Sequence, residues 1–238
     1  MRNDDLIRPF NELGGRFILP PDRIASKLLN IQGLVFDWDG VFNAGLKGSG
    51  FSSTFSEPDS MGTNLVRYGL WLRNKQLPAT AIITGAENQG AAAFARREHF
   101  QVVYMGIKDK RLALEHFIKP RRMDLTEIAC VYDDINDLGM AALCGLRFMV
   151  RRAASPLLND YVIRRELCDY ITGGSSEDKP VREVSELILG LMGRFETVVD
   201  SRVSWDENYR DYYNQRQATE TQFYTQQASE IVSRRIDP

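Results

Sequence analysis

Two aspartates two positions apart, Asp37 and Asp39, follow a short apolar run and precede a glycine in the segment 33–40, which reads GLVFDWDG. Residues 33–36 suit a buried strand, and the glycine permits a turn. In an open α/β sheet, ligands bind outside the carboxyl ends of the strands, so paired acids at that point are candidates for a nucleophile or a metal ligand. The alternative is a solvated acidic turn, and a short motif alone does not decide between them.

Further polar residues follow other predicted strands. They are Thr84 and Gly85 after residues 79–83, Lys110 after residues 101–104, and Asp133, Asp134 and Asp137 after residues 128–132. A carboxylate nucleophile can accept a phosphoryl group and pass it to water, while a second acid protonates the leaving oxygen and then activates the water. A hydroxyl, backbone N–H groups and an ammonium group stabilise the phosphoryl oxygens. Converging carboxylates repel one another, so we predict a hard divalent cation, Mg2+, among them.

The elements that would position these residues alternate between strand and helix. A fifth strand is predicted at residues 146–150 and an edge strand at 169–172, with helices at 60–75, 87–99, 109–118, 135–144, 155–166 and 181–191. This alternation predicts an α/β fold, a Rossmann-like three-layer sandwich with a mostly parallel sheet. Residues 43–56 contain Gly48-Ser49-Gly50 between short segments, which predicts a small β-hairpin that is too short to be a cap domain.

The chain divides into three predicted parts. Residues 1–30 form an N-terminal appendage, residues 31–195 the main domain, and residues 196–238 a helical C-terminal tail. In the tail, aromatic residues recur three or four apart from Trp205 to Val232 among polar residues, which predicts a polar helix with a thin aromatic stripe. Such a helix docks either on its own domain or on a neighbouring subunit of an oligomer.

The composition is that of a globular protein with no strong charge bias. The 238 residues carry a formal charge of −2 and are 43% hydrophobic, so neither a nucleic acid nor a membrane surface is expected as a partner. The cysteines Cys130, Cys144 and Cys168 are odd in number and lack metal-ligand spacing, which is typical of free thiols in a reducing compartment. No apolar stretch is long enough to span a membrane, and no secretory signal is recognised. We expect a cytoplasmic enzyme.

Four segments resemble, in order, the four motifs of the haloacid dehalogenase superfamily of phosphatases. They are Asp37-Trp38-Asp39-Gly40-Val41, Ile83-Thr84-Gly85, Gly106-Ile107-Lys108-Asp109-Lys110 and Asp133-Asp134-Ile135-Asn136-Asp137. The resemblance runs from about Gln32 to Gly193. The missing cap and the Gly173-Gly174 loop resemble the capless subgroup that includes 3-deoxy-D-manno-octulosonate 8-phosphate phosphatase. Residues 58–62 and 84–87 look more like the phosphatase of 2-keto-3-deoxynononate 9-phosphate.

The resemblance implies a role for each matching residue. It implies Asp37 as nucleophile and Mg2+ ligand, Asp39 as general acid and base and part of the metal site, Thr84 and Gly85 as phosphate binders, Lys110 as the residue that holds the phosphate and the nucleophile, Asp133 as Mg2+ ligand, and Asp134 and Asp137 as supporting residues. It also implies a homotetramer in which a neighbouring subunit completes the site. For Lys110 taken alone, a solvated lysine at a helix start is the alternative, and Lys108 is a near neighbour that could be confused with it.

Three departures from the family pattern bear on function. Tyr132 stands where the family usually has glycine, Asn43-Ala44 replaces a Thr-Asp pair, and Ala86 leaves no arginine for a substrate carboxylate. Tyr132 either crowds the metal or packs beneath it. We therefore carry two hypotheses, a Mg2+-dependent phosphatase of a small phosphorylated sugar acid, and a catalytically impaired domain that serves as an oligomerisation or interaction module. A phosphotransferase or a nucleotidase would share the same motifs.

Overall fold

A nine-stranded sheet runs through the residues that the computed structural model describes, 3–48 and 53–236. Its strands are β1 (Arg16–Phe17), β2 (Gly33–Phe36), β3 (Ala79–Ile83), β4 (Val102–Met105), β5 (Ile128–Tyr132), β6 (Leu146–Met149), β7 (Tyr170–Ile171), β8 (Gln222–Gln227) and β9 (Glu230–Ser233). The spatial order is β1-β7-β6-β5-β2-β3-β4-β8-β9. Only the two edge pairs, β1 with β7 and β8 with β9, are antiparallel in this sheet. The predicted mostly parallel sheet is confirmed.

Helices cover both faces of the sheet. They are α1 (Asn3–Glu12), α2 (Pro21–Leu28), α3 (Glu57–Asn74), α4 (Gln89–Glu98), α5 (Lys110–Ile118), α6 (Leu138–Ala141), α7 (Pro156–Arg164), α8 (Pro180–Leu191), α9 (Phe195–Ser204) and α10 (Glu207–Gln217). On β2, Leu34 and Phe36 share a buried cluster with α2, α3, α4 and α8, whereas Val35 shares another with α5, α6 and α7. Successive strand residues face opposite sides of a sheet, so these clusters are its two faces. The three-layer α/β sandwich is therefore confirmed.

The central strands end together at one edge of the sheet. β2 lies between β3 and β5, and its last residue, Phe36, is in register with Ile82 and Val131. All three strands are fully buried, which suits their runs of aliphatic residues. The segments that follow them therefore leave the sheet side by side.

The loop after β2 folds back on the segment that carries Asp37 and Asp39, and its described residues do not form the predicted hairpin. Residues 41–48 and 53–56 hold no strand, and the predicted turn at Ser49 and Gly50 lies outside the described residues. Asn43 holds the loop, because its side-chain amide donates to Trp38 O at 3.2 Å and its Oδ1 accepts from Gly45 N at 2.9 Å. Gly40 adopts φ +90°, and a Cβ there would lie 2.0 Å from Asp133 Oδ2, so glycine is required at this point.

The N-terminal segment joins the sheet. β1 pairs antiparallel with β7 through Arg16 with Ile171 and Phe17 with Tyr170, which covers that edge. Nearby, α2 buries Ile24 and Leu28 against the main core. The segment thus shares the core of the main domain. The proposed boundaries at residues 30 and 195 stay predictions.

The tail is helical in its first half only. The prediction of one helix from Trp205 to Val232 is wrong for residues 222–233, which form β8 and β9. Phe223, Tyr224 and Thr225 are strand-forming residues, and the open edge of β4 offers them a ladder of hydrogen bonds, with Val103 opposite Phe223. The aromatic residues on both sides of residue 220 happen to keep helical spacing, so periodicity alone did not show the change.

The helical half of the tail docks on its own chain. On α10, Tyr209 and Tyr212 are buried against Tyr68 and Trp71 of α3. The ring centroids of Tyr68 and Tyr212 are 5.0 Å apart, and the Tyr212 hydroxyl donates to Asn64 O at 3.1 Å. Of the two predicted dockings, the intramolecular one is therefore present. No helix in the described part of the chain is long and apolar enough to cross a membrane.

Candidate active site

The polar residues predicted from the sequence gather at the carboxyl ends of the central strands. Asp37 and Asp39 follow β2, Thr84 follows β3, and Asp133 follows β5. Lys110 is the first residue of α5, which the segment after β4 reaches through Gly106 at φ +67°. The parallel topology thus brings together residues almost one hundred positions apart, as the strand-end argument predicts.

Lys110 lies between two buried carboxylates. Its Nζ donates to Asp37 Oδ1 and to Asp137 Oδ1, and the side chains of all three residues are less than a tenth exposed. Burial lowers the pKa of Lys110, but the charges of Asp37 and Asp137 outweigh it and hold the pKa above its ordinary value. The ammonium group therefore stays charged. Lys108 is exposed, so the alternative role for that residue finds no geometric support.

Three carboxylates converge beside this lysine. One oxygen from each of Asp37, Asp133 and Asp137 lies within 4.8 Å of the others, and all three residues are buried. Asp133 Oδ2 is buried and lacks a well-angled hydrogen bond, although Arg152 Nη2 lies 2.5 Å away. Buried carboxylate oxygens with free lone pairs are what a hard divalent cation requires, so these residues fit such an ion.

The close acids shift one another's titration. Burial, and then the charge of Asp137, raises the pKa of Asp37 from 3.8 to about 6. Burial, and then the charge of Asp37, raises the pKa of Asp133 from 3.8 to about 8. Each carboxylate thus loses hydration and gains a like-charged neighbour on folding. A bound cation would instead stabilise the ionised form of these carboxylates.

In protein freed of divalent cations, we expect the free energy of unfolding to fall as the pH rises from about 4 to about 8. The raised pKa values mean that the folded protein binds more protons than the unfolded chain in this range, and each extra proton gives a slope of about 1.4 kcal/mol per pH unit. Urea unfolding in the presence of a chelator measures this slope. Asp133→Asn should flatten it, whereas Asp160→Asn at an exposed ion pair should not. An equal slope in Asp133→Asn would contradict the assignment.

Asp39 lies outside the three-carboxylate cluster. Its carboxylate accepts from Ser53 Oγ and Asn88 Nδ2, both at 2.9 Å, and pairs with Lys47. The predicted proton-transfer role of Asp39 stays a prediction, as does its place in the metal site. By contrast, Asp137, which the sequence placed in a supporting role, lies inside the cluster.

Thr84 and Gly85 lie where β3 turns toward α4. The Thr84 hydroxyl is buried and accepts from Asn88 Nδ2 at 2.7 Å. Asn88, the residue immediately before α4, therefore bridges Thr84 and Asp39. A Cβ on Gly85 would meet Ile107 O at 3.5 Å, an ordinary contact, so the backbone there is open. Two residues with separate predicted roles are thus held by one amide.

Asp134 lies at the exposed side of the cluster. Its Oδ1 accepts from Ile135 N at 2.8 Å and caps a short 3-10 turn at residues 135–137. Its Oδ2 lies 3.3 Å from Arg152 Nη1. Asp134 therefore shapes the loop and positions Arg152.

Sequence reasoning missed four residues of this site: Lys47, Ser53, Asn88 and Arg152. Arg152 follows β6, whose carboxyl end lies at the same sheet edge, so the rule that found Asp133 could also have found it. Asn88 carried a weaker signal, since asparagine is frequent at the position immediately before a helix. Lys47 and Ser53 lie in an irregular loop, where the spacing of residues in the sequence does not show which way their side chains point.

Tyr132 packs beneath the site. It is fully buried in the cluster of β5 with α5, α6 and α7, and its hydroxyl donates to Leu167 O at 2.8 Å. The side chain therefore faces the helix layer, and of the two sequence-based alternatives the packing one is present. This removes one reason for expecting an impaired site.

Trp38, between the two acids, also faces the core. Its side chain is fully buried, its ring lies 5.0 Å from that of Phe42 and 5.6 Å from that of Phe94, and its Nε1 has no hydrogen-bond partner among the described residues. Asp37 and Asp39 point toward the site while Trp38 points away, as alternation along an extended segment requires. The ring anchors the segment that carries both acids.

Solved structures resemble this fold, although no known family model matches the sequence. A probable YrbI family phosphatase from Pseudomonas syringae pv. phaseolica has a TM-score of 0.64 and 26% identity, over 77% of this chain and 98% of its own. The 3-deoxy-D-manno-octulosonate 8-phosphate phosphatase of Yersinia pestis has a TM-score of 0.61 and 27% identity, over 74% and 89%. The Moraxella catarrhalis enzyme of the same name has a TM-score of 0.63 and 24% identity, over 76% of this chain and 98% of its own. The predicted resemblance to haloacid dehalogenase superfamily phosphatases is confirmed, as is the predicted class of enzyme, a phosphatase.

Proposed function

We propose that this chain, a phosphatase of the haloacid dehalogenase superfamily, is a Mg2+-dependent phosphomonoesterase that hydrolyses a nonulosonate or octulosonate phosphate through an aspartyl-phosphate at Asp37. One observation carries the proposal: Lys110 pairs with Asp37 inside a buried group of three carboxylates at the sheet edge. The Moraxella catarrhalis relative, 24% identical, was solved with a magnesium ion, a phosphate ion and KDO, which supports the choice of ion and substrate class.

The first step forms a covalent intermediate. Asp37 Oδ attacks phosphorus, a P–O bond to Asp37 forms, and the P–O bond to the sugar breaks. Asp39 gives its proton to the departing sugar oxygen. Lys110 and the Thr84 hydroxyl stabilise the phosphoryl oxygens, whose negative charge is spread over three atoms. Asp37, Asp133 and Asp137 are the residues that would hold Mg2+, which supplies charge neutralisation when bound.

The second step returns the enzyme to its starting state. Asp39 takes a proton from water, the water oxygen attacks phosphorus, and the bond to Asp37 breaks to release phosphate. Asn88 supports this cycle because it donates to both Asp39 and Thr84, which fixes the acid relative to the phosphate binder. Asp39 therefore serves both half-reactions from one position.

Two cations beside the site support an acidic substrate. Lys47 pairs with Asp39 and Arg152 with Asp133, and both side chains are at least one third exposed. A sugar acid carries a carboxylate besides its phosphate, and an arginine fork binds carboxylates well. Arg152 could thus serve in place of the arginine that Ala86 does not supply.

Phosphate release from a panel of sugar phosphates tests this function. We expect release with Mg2+, a loss of at least about 100-fold when a chelator removes the ion, and recovery when Mg2+ is added back. Without the cation, the negative charges of the three acids repel the negatively charged phosphoryl group. Nonulosonate and octulosonate phosphates should give the highest kcat/KM. Simple hexose phosphates are the matched control without a carboxylate.

The alternative of an impaired domain makes the opposite prediction. No release from any phosphate ester, with any divalent cation, would contradict the phosphatase and favour an interaction module. Release to an acceptor alcohol but not to water would instead indicate a phosphotransferase. Sedimentation equilibrium tests the proposed homotetramer independently of activity.

We propose that the enzyme is cytoplasmic. All three cysteines are buried and free, which supports a reducing compartment. A small phosphorylated substrate is also consistent with that compartment, and localisation of the tagged chain tests it.

A further inference from the structure

The C-terminal hairpin, β8 with β9, holds the segment that leads into Lys110. Gln226 Oε1 accepts two backbone hydrogen bonds, from Lys108 N at 2.9 Å and from Asp109 N at 3.1 Å. These two amides immediately precede Lys110, the first residue of α5. One side chain thus satisfies two donors at the start of the helix, where amides lack partners within the helix.

The hairpin is itself fixed to the core. β8 pairs parallel with β4, with Tyr224 opposite Tyr104 and Thr225 opposite Met105, so Gln226 lies beside the segment that follows β4. The Tyr224 ring lies 5.4 Å from that of Tyr104 and 4.7 Å from that of His116 on α5. The hairpin therefore contacts β4, the connecting segment and α5.

A second contact ties the hairpin to the opposite side of the site. Arg234, just after β9, pairs with Glu87, which lies three residues after Thr84. Glu87 also lies close to the connecting segment, since a Cβ on Gly106 would be 2.8 Å from its Oε1. The hairpin thus spans the segments that carry Thr84 and Lys110.

We propose that the C-terminal hairpin positions Lys110 for phosphoryl transfer and that Gln226 is its positioning residue. Lys110 Nζ makes short contacts with both Asp37 and Asp137, so a small displacement of its backbone separates the ammonium from one of them. A displacement of about 1 Å in a catalytic group can cost about 100-fold in rate. The inference rests on the proposed phosphatase function and adds a role for the tail.

Three variants test the positioning role. Gln226→Met keeps the length of the side chain but removes both the acceptor and the Nε2 donor, which bonds Ala228 O at 2.8 Å. Gln226→Glu keeps the acceptor and loses only that donor. Gln227→Met changes the neighbouring residue of β8, whose side chain is exposed. We expect Gln226→Met to lower kcat about 10-fold with little change in KM, since Lys110 acts on charge that develops in the transition state. Gln226→Glu should recover most of kcat, and Gln227→Met should match the wild type.

Hydrogen exchange gives a readout that needs no substrate. In Gln226→Met, the amides of Lys108 and Asp109 should exchange about 10-fold faster, because they lose their acceptor, while the thermal midpoint changes little. Unchanged exchange, or an equal loss of kcat in Gln227→Met, would overturn the inference. If the wild type releases no phosphate but these amides exchange faster in Gln226→Met, the phosphatase proposal fails while the hold of Gln226 on the segment stands.

Discussion

Asp37→Asn is expected to lower kcat at least about 1,000-fold, because an amide cannot form the phosphoryl intermediate that the carboxylate forms. Asp37 lies at the end of β2, buried and paired with Lys110, where attack on a phosphoryl group can proceed beside a fixed positive charge. Acid quenching during turnover should trap a covalent phosphoenzyme in the wild type and none in the variant. Lys110 keeps its contact with Asp137, so the fold should persist.

Asp39→Asn separates the nucleophile from the proton-transfer residue. An aryl phosphate with a good leaving group needs little protonation, so this variant should still form the phosphoenzyme but hydrolyse it slowly and accumulate it. Asp160→Asn, at an exposed ion pair far along the chain on α7, is the matched control and should leave kcat unchanged. Phosphoenzyme in Asp37→Asn, or full activity in that variant, would show that another group is the nucleophile.

Tyr212→Ala is expected to lower the free energy of unfolding by about 3–5 kcal/mol, as other losses of a buried aromatic side chain do. Tyr212 is fully buried, and its ring packs against Tyr68 at 5.0 Å and Trp71 at 6.2 Å. The alanine variant would leave a cavity between α10 and α3 and would remove the hydrogen bond that the Tyr212 hydroxyl donates to Asn64 O. Urea unfolding measures the change.

Two variants calibrate that result. Tyr212→Phe removes only the hydrogen bond to Asn64 O and should cost about 1 kcal/mol. Asn214→Ala, at an exposed position of α10, should stay within about 0.5 kcal/mol of the wild type. A loss below about 1 kcal/mol in Tyr212→Ala would contradict the packing of the tail on α3.

The strands of the central sheet could be predicted from the sequence because they are buried on both faces. Residues 79–83 and 128–132 were predicted with the bounds that the structure gives. A short continuous aliphatic run between turn-forming residues is typical of a buried parallel strand. The hairpin at residues 222–233 could not be predicted in the same way, because its polar strands are stabilised by pairing with β4, a partner about 120 residues away.

The candidate site was predictable where a residue follows a strand. That rule brings Asp37, Thr84 and Asp133 to one edge without any knowledge of side-chain direction. It does not determine which acids face each other, so it did not show that Asp137 lies beside Asp37 and Asp133. The place of Asp39 in the metal site stays a prediction. Those distinctions depend on the turn after β5 and on Asn88, both of which are local geometry.

Trp38 gives the site a built-in optical reporter. Its indole is sealed among Phe42 and Phe94, and the peptide bonds on either side belong to the two acids at the centre of the proposed chemistry. The other two tryptophans are Trp71, under the tail, and the partly exposed Trp205. With phenylalanine at both of those positions, the remaining emission would come from a ring one residue from the nucleophile. The arrival of a cation or of phosphate could then be followed by fluorescence, in real time and without turnover.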